Sequence, residues 1–327
     1  MESTKGLKIM DELDQRILSE LQSRGFQKST VLASILGVGE RTVSRRLDSM
    51  ISKMMIKIIA VPNPVSFGYR AWAKIGIKVA RESLNRVARV LVEHPSIYFL
   101  AYSLGSFDII IAVHFDTIEK LTYFMNSELT RVKGIRSTEA MILSSPRKYY
   151  HFSWPEPIFE KTKDPWNPYQ DANVRHGYKG DEVDQRILDV LREDGLARTK
   201  NLKLKLGIGE NTIRKHIRNM MDNEVYKLEV VPNPALLENE MWATTGIVIN
   251  HRFVHRMMEH IVEHPAVYLV SASLGRFNII IATRFHNTNL LNQFVTVDLQ
   301  SMPGISSVET FVHHKPLKYH NITWTTF

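Results

Sequence analysis

Apolar positions along the chain change their spacing in a fixed order. Leu13, Ile17, Leu18 and Leu21 recur at helical spacing. A second short helix is predicted over residues 29–36, with Ser29 or Thr30 as its cap, and Gly37-Val38-Gly39 breaks the pattern. A third helix carries Val43, Leu47, Met50 and Met54 on one face. Ile56 to Val61 reads as a short strand stopped by Pro62-Asn63-Pro64. The period then drops to two. Ala71, Ala73, Ile75, Ile77 and Val79 alternate with Trp72, Lys74, Gly76 and Lys78, as in a half-buried strand. Leu84 to Val92 is helical. Ile97 to Ser103 and Phe107 to Phe115 read as strands around a Gly105-Ser106 turn. Thr117 to Arg131 is a predicted helix with Asp116 and Glu119 placed as a capping box, and Arg136 to Leu143 is a last strand.

The whole order is then repeated. Asp14-Gln15-Arg16-Ile17-Leu18 returns as Asp184-Gln185-Arg186-Ile187-Leu188, and Val61-Pro62-Asn63-Pro64 as Val231-Pro232-Asn233-Pro234. Glu93-His94-Pro95 and Ser103-Leu104-Gly105 return in the same way, always 170 residues on (184−14, 231−61, 263−93, 273−103). Three short helices with a glycine turn before the third form a helix-turn-helix pattern, and the trailing strand suggests a wing. The βαββαβ order behind it is ferredoxin-like. The fold class is therefore α+β, a tandem repeat of a winged helix-turn-helix followed by a ferredoxin-like domain. The expected units are 1–61 and 181–231 for the helical heads, 66–151 and 236–327 for the mixed domains, and 152–180 for a proline-bearing linker. Trp154 matches Trp324, which attaches the start of that linker to the first mixed domain.

Composition narrows the classes. The chain has 327 residues, 44% of them hydrophobic and 23% charged, with no cysteine. This is a globular composition; disulfides, cysteine–zinc sites and thiol catalysis are excluded, and a reducing cytoplasm is expected. Met1 to Met10 lacks a signal-peptide core, and runs such as Ile109-Ile110-Ile111-Ala112-Val113 are too short to span a bilayer, so no membrane partner is expected. A net charge of +8 favours a polyanionic partner.

The third helices carry the chemistry for such a partner. On a wheel at roughly 100° per residue, Val43, Leu47, Met50 and Met54 cluster, while Arg41 and Arg45 fall opposite with Ser44 to one side. Arginine can take guanine O6 and N7 together, so Arg41, Thr42 and Arg45 are candidates for base edges in double-stranded DNA. Arg46 lies nearer the core and suits phosphate. In the second copy Ile213, Ile217 and Met220 turn inward, and Asn211, Thr212, Lys215 and Arg218 outward, with Arg214 beside them. Residues 198–218 hold seven Lys/Arg against the single acid Glu210. The outer faces differ between copies, which suits two unlike half-sites.

In sequence the chain resembles the Lrp/AsnC, or feast/famine, family of transcription regulators. The carrying residues are Asp11 to Leu18, Gly37 to Val43, Gly105-Ser106-Phe107-Asp108 and Gly134-Ile135, with Asp184 to Leu188, Arg192 to Gly195, Gly207 to Glu210, Gly275-Arg276-Phe277-Asn278 and Pro303 to Ile305 in the second copy. Typical members carry one copy. Met54 departs from the usual glycine before the wing, and Asn278 from the acidic hairpin residue. The resemblance implies mixed domains that pair through their sheets, which would also give each sheet the cover it needs. It also implies an effector, often an amino acid, near the hairpins: Gly105, Ser106, Phe107 and Asp108, and Gly275, Arg276, Phe277 and Asn278. Asp108 would hold an ammonium group and Asn278 would do so less well. Self-association into chain dimers or tetramers is expected. No metal, cofactor or catalytic set is expected. His94 and His264 read as loop residues, and the Tyr149-Tyr150-His151 and His313, His314, Tyr319 and His320 groups lack metal-ligand spacing. Two other readings stay open: an enzyme like the sirohaem decarboxylases, which share this architecture, and an amino-acid sensor that binds no DNA.

Overall fold

The computed structural model describes residues 10–63, 66, 69–149, 152–153, 180–233, 241–285, 287–313, 316–320 and 322–323. Most of the expected linker, with Trp154, and the residues Trp324, Tyr150, His151 and His314 lie outside them. Copy one runs α1 (Glu12–Arg24), α2 (Ser29–Leu36), α3 (Glu40–Ser52), β1 (Ile56–Pro62), β2 (Ala71–Val79), α4 (Leu84–Val92), β3 (Ile97–Leu104), β4 (Ile109–Phe115), α5 (Ile118–Tyr123), β5 (Ile135–Tyr149) and β6 (Phe152–Ser153). Copy two runs α6 (Glu182–Leu191), α7 (Thr199–Leu206), α8 (Glu210–Asp222), β7 (Tyr226–Pro232), β8 (Met241–Ile249), α9 (Val254–Val262), β9 (Val267–Leu274), β10 (Ile279–Phe285), α10 (Thr288–Gln293), β11 (Ile305–His313), β12 (Lys318–Tyr319) and β13 (Ile322–Thr323).

The repeated Asp-Gln-Arg-Ile-Leu motif is a packing device. Ile17 and Leu18 sit in the core of head one, and Ile187 and Leu188 in that of head two. Arg16 donates to the carbonyl of Leu36 at 3.2 Å and Arg186 to that of Leu206 at 2.7 Å, which satisfies the open carboxyl ends of α2 and α7. Gly37 and Gly207 end those helices with φ near +68° and +69°, a left-handed turn that costs glycine nothing. The cap of α2 differs from expectation: Lys28 occupies it, with no side-chain bond, and Ser29 is already helical. Met54 also departs from the expected helix face. The third helix ends at Ser52, Met54 takes φ +55° and is half exposed, and Met55 fills the core instead. Glu224, its counterpart, takes φ +50°.

The trailing strands are not free wings. The strands β1 and β7 pair antiparallel into a two-stranded ribbon shared by both heads, and equivalent residues Ile59 and Glu229 face each other at its centre. A pseudo-twofold axis therefore passes through this point.

The mixed domains pair about the same kind of axis. Each contributes four strands, in the orders β3-β4-β2-β5 and β9-β10-β8-β11. The two edges are then joined, β5 to β9 through Ile142↔Leu274 and Leu143↔Ser273, and β11 to β3 through Val312↔Leu104 and His313↔Ser103. The predicted last strand is thus longer than Arg136 to Leu143, because Ser144 to Tyr149 pairs across the copies. In copy two, β11 and β12 together take that role, with Lys318↔Leu100 and Tyr319↔Phe99. The expected pairing of sheets occurs inside one chain.

Three apolar layers result. The outer faces of the two sheets pack against α4 and α5, and against α9 and α10. The inner faces meet each other over Trp72, Phe99, Met141, Trp242 and Phe311. At the centre, Lys74 Nζ donates to Thr244 Oγ1 at 2.8 Å, and Thr244 Oγ1 lies 2.8 Å from His313 Nε2. Lys74 and Thr244 are 170 apart, so the axis passes between them as well. Burial pushes the Lys74 ammonium down to about 7, and burial with Lys74 nearby holds His313 well below the usual histidine range. Thr117 caps α5 by accepting from Lys120 N–H, while Asp116 pairs with Lys120 Nζ at 2.6 Å, so the expected Asp116 capping box does not form. Helical turns continue past α5 to Arg131, first a π turn and then a 3-10 turn.

Candidate functional site

The third helix of each head buries one stripe and exposes the other. Val43, Leu47 and Met50 are buried in α3, and Ile213 and Met220 in α8. Arg41 and Arg45 stand exposed, and so do Asn211, Thr212, Arg214, Lys215 and Arg218; Thr42 and Ser44 are half-buried. Arg214 pairs with Glu210 at 3.3 Å, one turn earlier. Arg46 is placed otherwise than expected for a phosphate contact. Its guanidinium meets Asp11 and lies 3.5 Å from Asp14, tying α3 to the start of α1. The Asp14 N–H, and after it Arg46, hold the Asp11 carboxyl below its ordinary range. In head two His216 occupies Arg46's place, with Nδ1 2.8 Å from Asp184 and 3.8 Å from Asp181. These three side chains converge, and Asp184 also closes a capping box with Asp181, so the cluster already has a helix-starting role.

The hairpins divide into a structural half and an exposed half. Phe107 and Phe277 are core residues, each lying on a glycine of the neighbouring strand, Gly76 and Gly246, where a Cβ would collide with the ring. Asp108 Oδ2 accepts from Val79 N–H at 2.7 Å, and Asn278 Oδ1 accepts from Ile249 N–H at 2.8 Å. Asp and Asn therefore brace the hairpin to the next strand in the same way, and that bond engages one Asp108 oxygen that the sequence reading had reserved for an ammonium group. Gly105, Ser106, Gly275 and Arg276 are exposed, and Asp108 is too despite its brace. Gly105 and Gly275 both adopt φ +118°. Each tip lies against the other copy: Ser106 donates to Glu309 at 2.5 Å, and Arg276 bridges Glu309 and Glu139, the latter at 3.7 Å.

His94 and His264 hold their loops, with Nδ1 accepting from Ser96 N–H at 3.2 Å and Ala266 N–H at 3.1 Å. Sequence reading did not bring Lys74, Thr244 and His313 together, although it set Lys74 on the face of the strand opposite the alternating apolar side. The signal was present in its neighbours, because Trp72 and Gly76 on that face are poor choices for water contact. Among the described residues no helix is long and apolar enough to cross a membrane.

Comparison with known proteins accords with this architecture. The model of the Lrp/AsnC ligand binding domain matches residues 73–151 and 243–323, and that of the AsnC-type helix-turn-helix domain matches 10–51. An uncharacterised HTH-type transcriptional regulator of Pyrococcus furiosus is 36% identical over 142 residues, 43% of this chain and 96% of that protein. The HTH-type transcriptional regulator FL11 of the same organism is 29% identical over 141 residues, 43% of this chain and 93% of that protein. Each such relative spans less than half of the chain. In overall fold the chain is similar to the siroheme decarboxylase NirDL, with a TM-score of 0.57 over 94% of this chain and 92% of that one at 13% identity. By its matched domains and by relatives aligned over nearly their whole length, the chain belongs to the Lrp/AsnC family.

Proposed function

We propose that the protein is a sequence-specific DNA-binding transcription regulator that reads two unlike half-sites with one chain. The observation that carries the reading is the pair of third helices, each buried on one face and exposing basic or amide side chains on the other, in heads joined by a shared ribbon. Arg41, Thr42, Ser44 and Arg45 address one half-site, and Asn211, Thr212, Arg214, Lys215 and Arg218 the other. A fused chain has no need of a palindrome, because its heads differ. In this reading a small effector, such as an amino acid, acts at the exposed hairpin tips, Gly105, Ser106, Gly275 and Arg276. Leu104 and Leu274, exposed at 71% and 61% beside those tips, supply apolar surface for association between chains.

Footprinting on the protein's own upstream DNA tests it. Arg45→Ala should cost about 1–3 kcal/mol and relax specificity in one half-site only, and Lys215→Ala in the other. Equal loss in both half-sites from one substitution contradicts the asymmetric reading.

The fold likeness to NirDL supports a second reading, an enzyme acting on a tetrapyrrole. Titration with an iron porphyrin, followed in the visible spectrum, separates the two. A stoichiometric complex with no footprint on DNA favours the enzyme.

A further inference from the structure

A cavity of about 500 Å³ lies where head one, the ribbon and mixed domain two meet. Ser19 and Gln22 of α1, Glu229 of β7, and His264, Arg284 and Asp298 of copy two all reach it. Its apolar walls are aromatic, from Tyr268, Phe285, Phe294 and Tyr319.

The pseudo-symmetry supplies an internal control. In copy one the side chains at the equivalent place bond to one another. His94 Nε2 lies 2.6 Å from Glu128, and His114 packs edge-on against Tyr69 with ring centres 4.0 Å apart. Copy two differs there at several positions, among them Asp298 for Glu128, Arg284 for His114, Glu229 for Ile59 and, from head one, Gln22 for Arg192. The consequences are chemical. His264 uses Nδ1 as an acceptor toward Ala266 N–H, so Nε2 carries the proton, and burial keeps the ring neutral by lowering its affinity for a second one. Asp298 is one methylene shorter than Glu128, and His264 Nε2 has no hydrogen-bond partner among the described residues. Arg284 sets its guanidinium over the Trp242 ring at 5.5 Å. Lys148 adds positive charge from the side, its Nζ already donating to the carbonyls of Val262 at 2.9 Å and His264 at 3.3 Å.

From this geometry we propose that the cavity is a binding site for a small aromatic acid with a single carboxylate. The carboxylate accepts from Arg284 and His264 Nε2, and the ring lies among the aromatic walls. Glu229 and Asp298 on the lining repel a second acid group, which limits the ligand to one negative charge. The occupant touches α1 as well as the mixed domain, and so ties head one to domain two. This site is separate from the hairpin tips and does not depend on DNA binding.

Saturation-transfer NMR on the full chain tests it, with indole-3-acetate and phenylacetate as probes and indole-3-acetamide as the uncharged comparison. The two acids should give saturable signals and the amide none. Arg284→Ala should weaken binding by about tenfold, the scale of one charge-assisted hydrogen bond. Asp298→Glu should do the same by restoring the bond to the histidine, and as the milder change it serves if Arg284→Ala misfolds. Arg276→Ala at the hairpin should leave binding unchanged. No saturable acid signal at millimolar concentration, equal binding of acid and amide, or loss in Arg276→Ala rather than in the cavity variants each overturns the proposal.

Discussion

Replacing Lys74 by methionine should make the protein more stable, by an amount that depends on pH in a defined direction. The ammonium is fully buried between the sheets, its one hydrogen bond among the described residues goes to Thr244, and burial lowers its pKa from 10.5 to about 7. Between those two values the unfolded chain holds a proton that the folded chain has released. Stability contributed by this group is therefore fully present above pH 10.5, and is lost as pH falls toward 7. At roughly 1.4 kcal/mol per pH unit the loss across that window amounts to about 5 kcal/mol. Methionine has a similar length, suits the surrounding aromatic rings and does not titrate, and Thr244 keeps its bond to His313. Urea unfolding of both proteins at pH 7 and pH 10 measures the difference. The variant should gain on the wild type by about 3–5 kcal/mol on going from pH 10 to pH 7. Apart from His313, which Lys74 also depresses and which burial keeps neutral across this window, the other titrating groups cancel in the comparison. A gap that changes by less than about 1 kcal/mol across the window would refute the reasoning, and would mean that the lysine keeps its charge inside the fold.

Further expectations are local. Met54→Gly should stabilise head one by about 1 kcal/mol in thermal melts, because φ +55° strains a residue with a Cβ; Glu224→Gly should act alike in head two. Gly246→Ala should destabilise domain two by about 1–3 kcal/mol, since the new Cβ would stand 2.5 Å from the Phe277 ring. Arg46→Ala should lower the stability of head one by about 1 kcal/mol, discounted for partial exposure, and the loss should shrink in high salt; an unchanged melting curve with weakened DNA binding would return Arg46 to the phosphate role.

Much of the fold was legible because periodicity reports burial on one face at a time. The three helices of each head and the βαββαβ order were readable from spacing alone. What spacing does not report is a second surface arriving from far along the chain. The polar-looking side of β2, with Trp72 and Lys74, becomes core only because β8, 170 residues on, lies against it. For the same reason β1 reads as a wing, and its partner β7 is visible only in three dimensions. Composition identified Asp108 as a charge, but the N–H of Val79, the last residue of the hydrophobic alternation, decides its contact. The two departures from the family pattern differ in consequence. Met54 proved to mark a left-handed backbone, and Asn278 proved to do the work of Asp108. The cavity of copy two was hidden altogether, since its lining comes from three units that the sequence sets far apart.

The axis between Lys74 and Thr244 has a consequence for how such a chain can change. In a symmetric dimer of identical subunits, a residue on the twofold axis meets its own copy, so every substitution there is made twice and must tolerate itself. Two lysines facing each other in a dry interior would not. Joining the subunits into one polypeptide removes that requirement: Lys74 meets a threonine, Ile59 meets a glutamate, and each side can be altered alone. The freedom runs in one direction. Once a lysine occupies the axis on one side, pairing that half with another of its own kind would bury two amines against each other, and a single self-pairing subunit made from copy one would close its sheets only at the cost of keeping both uncharged.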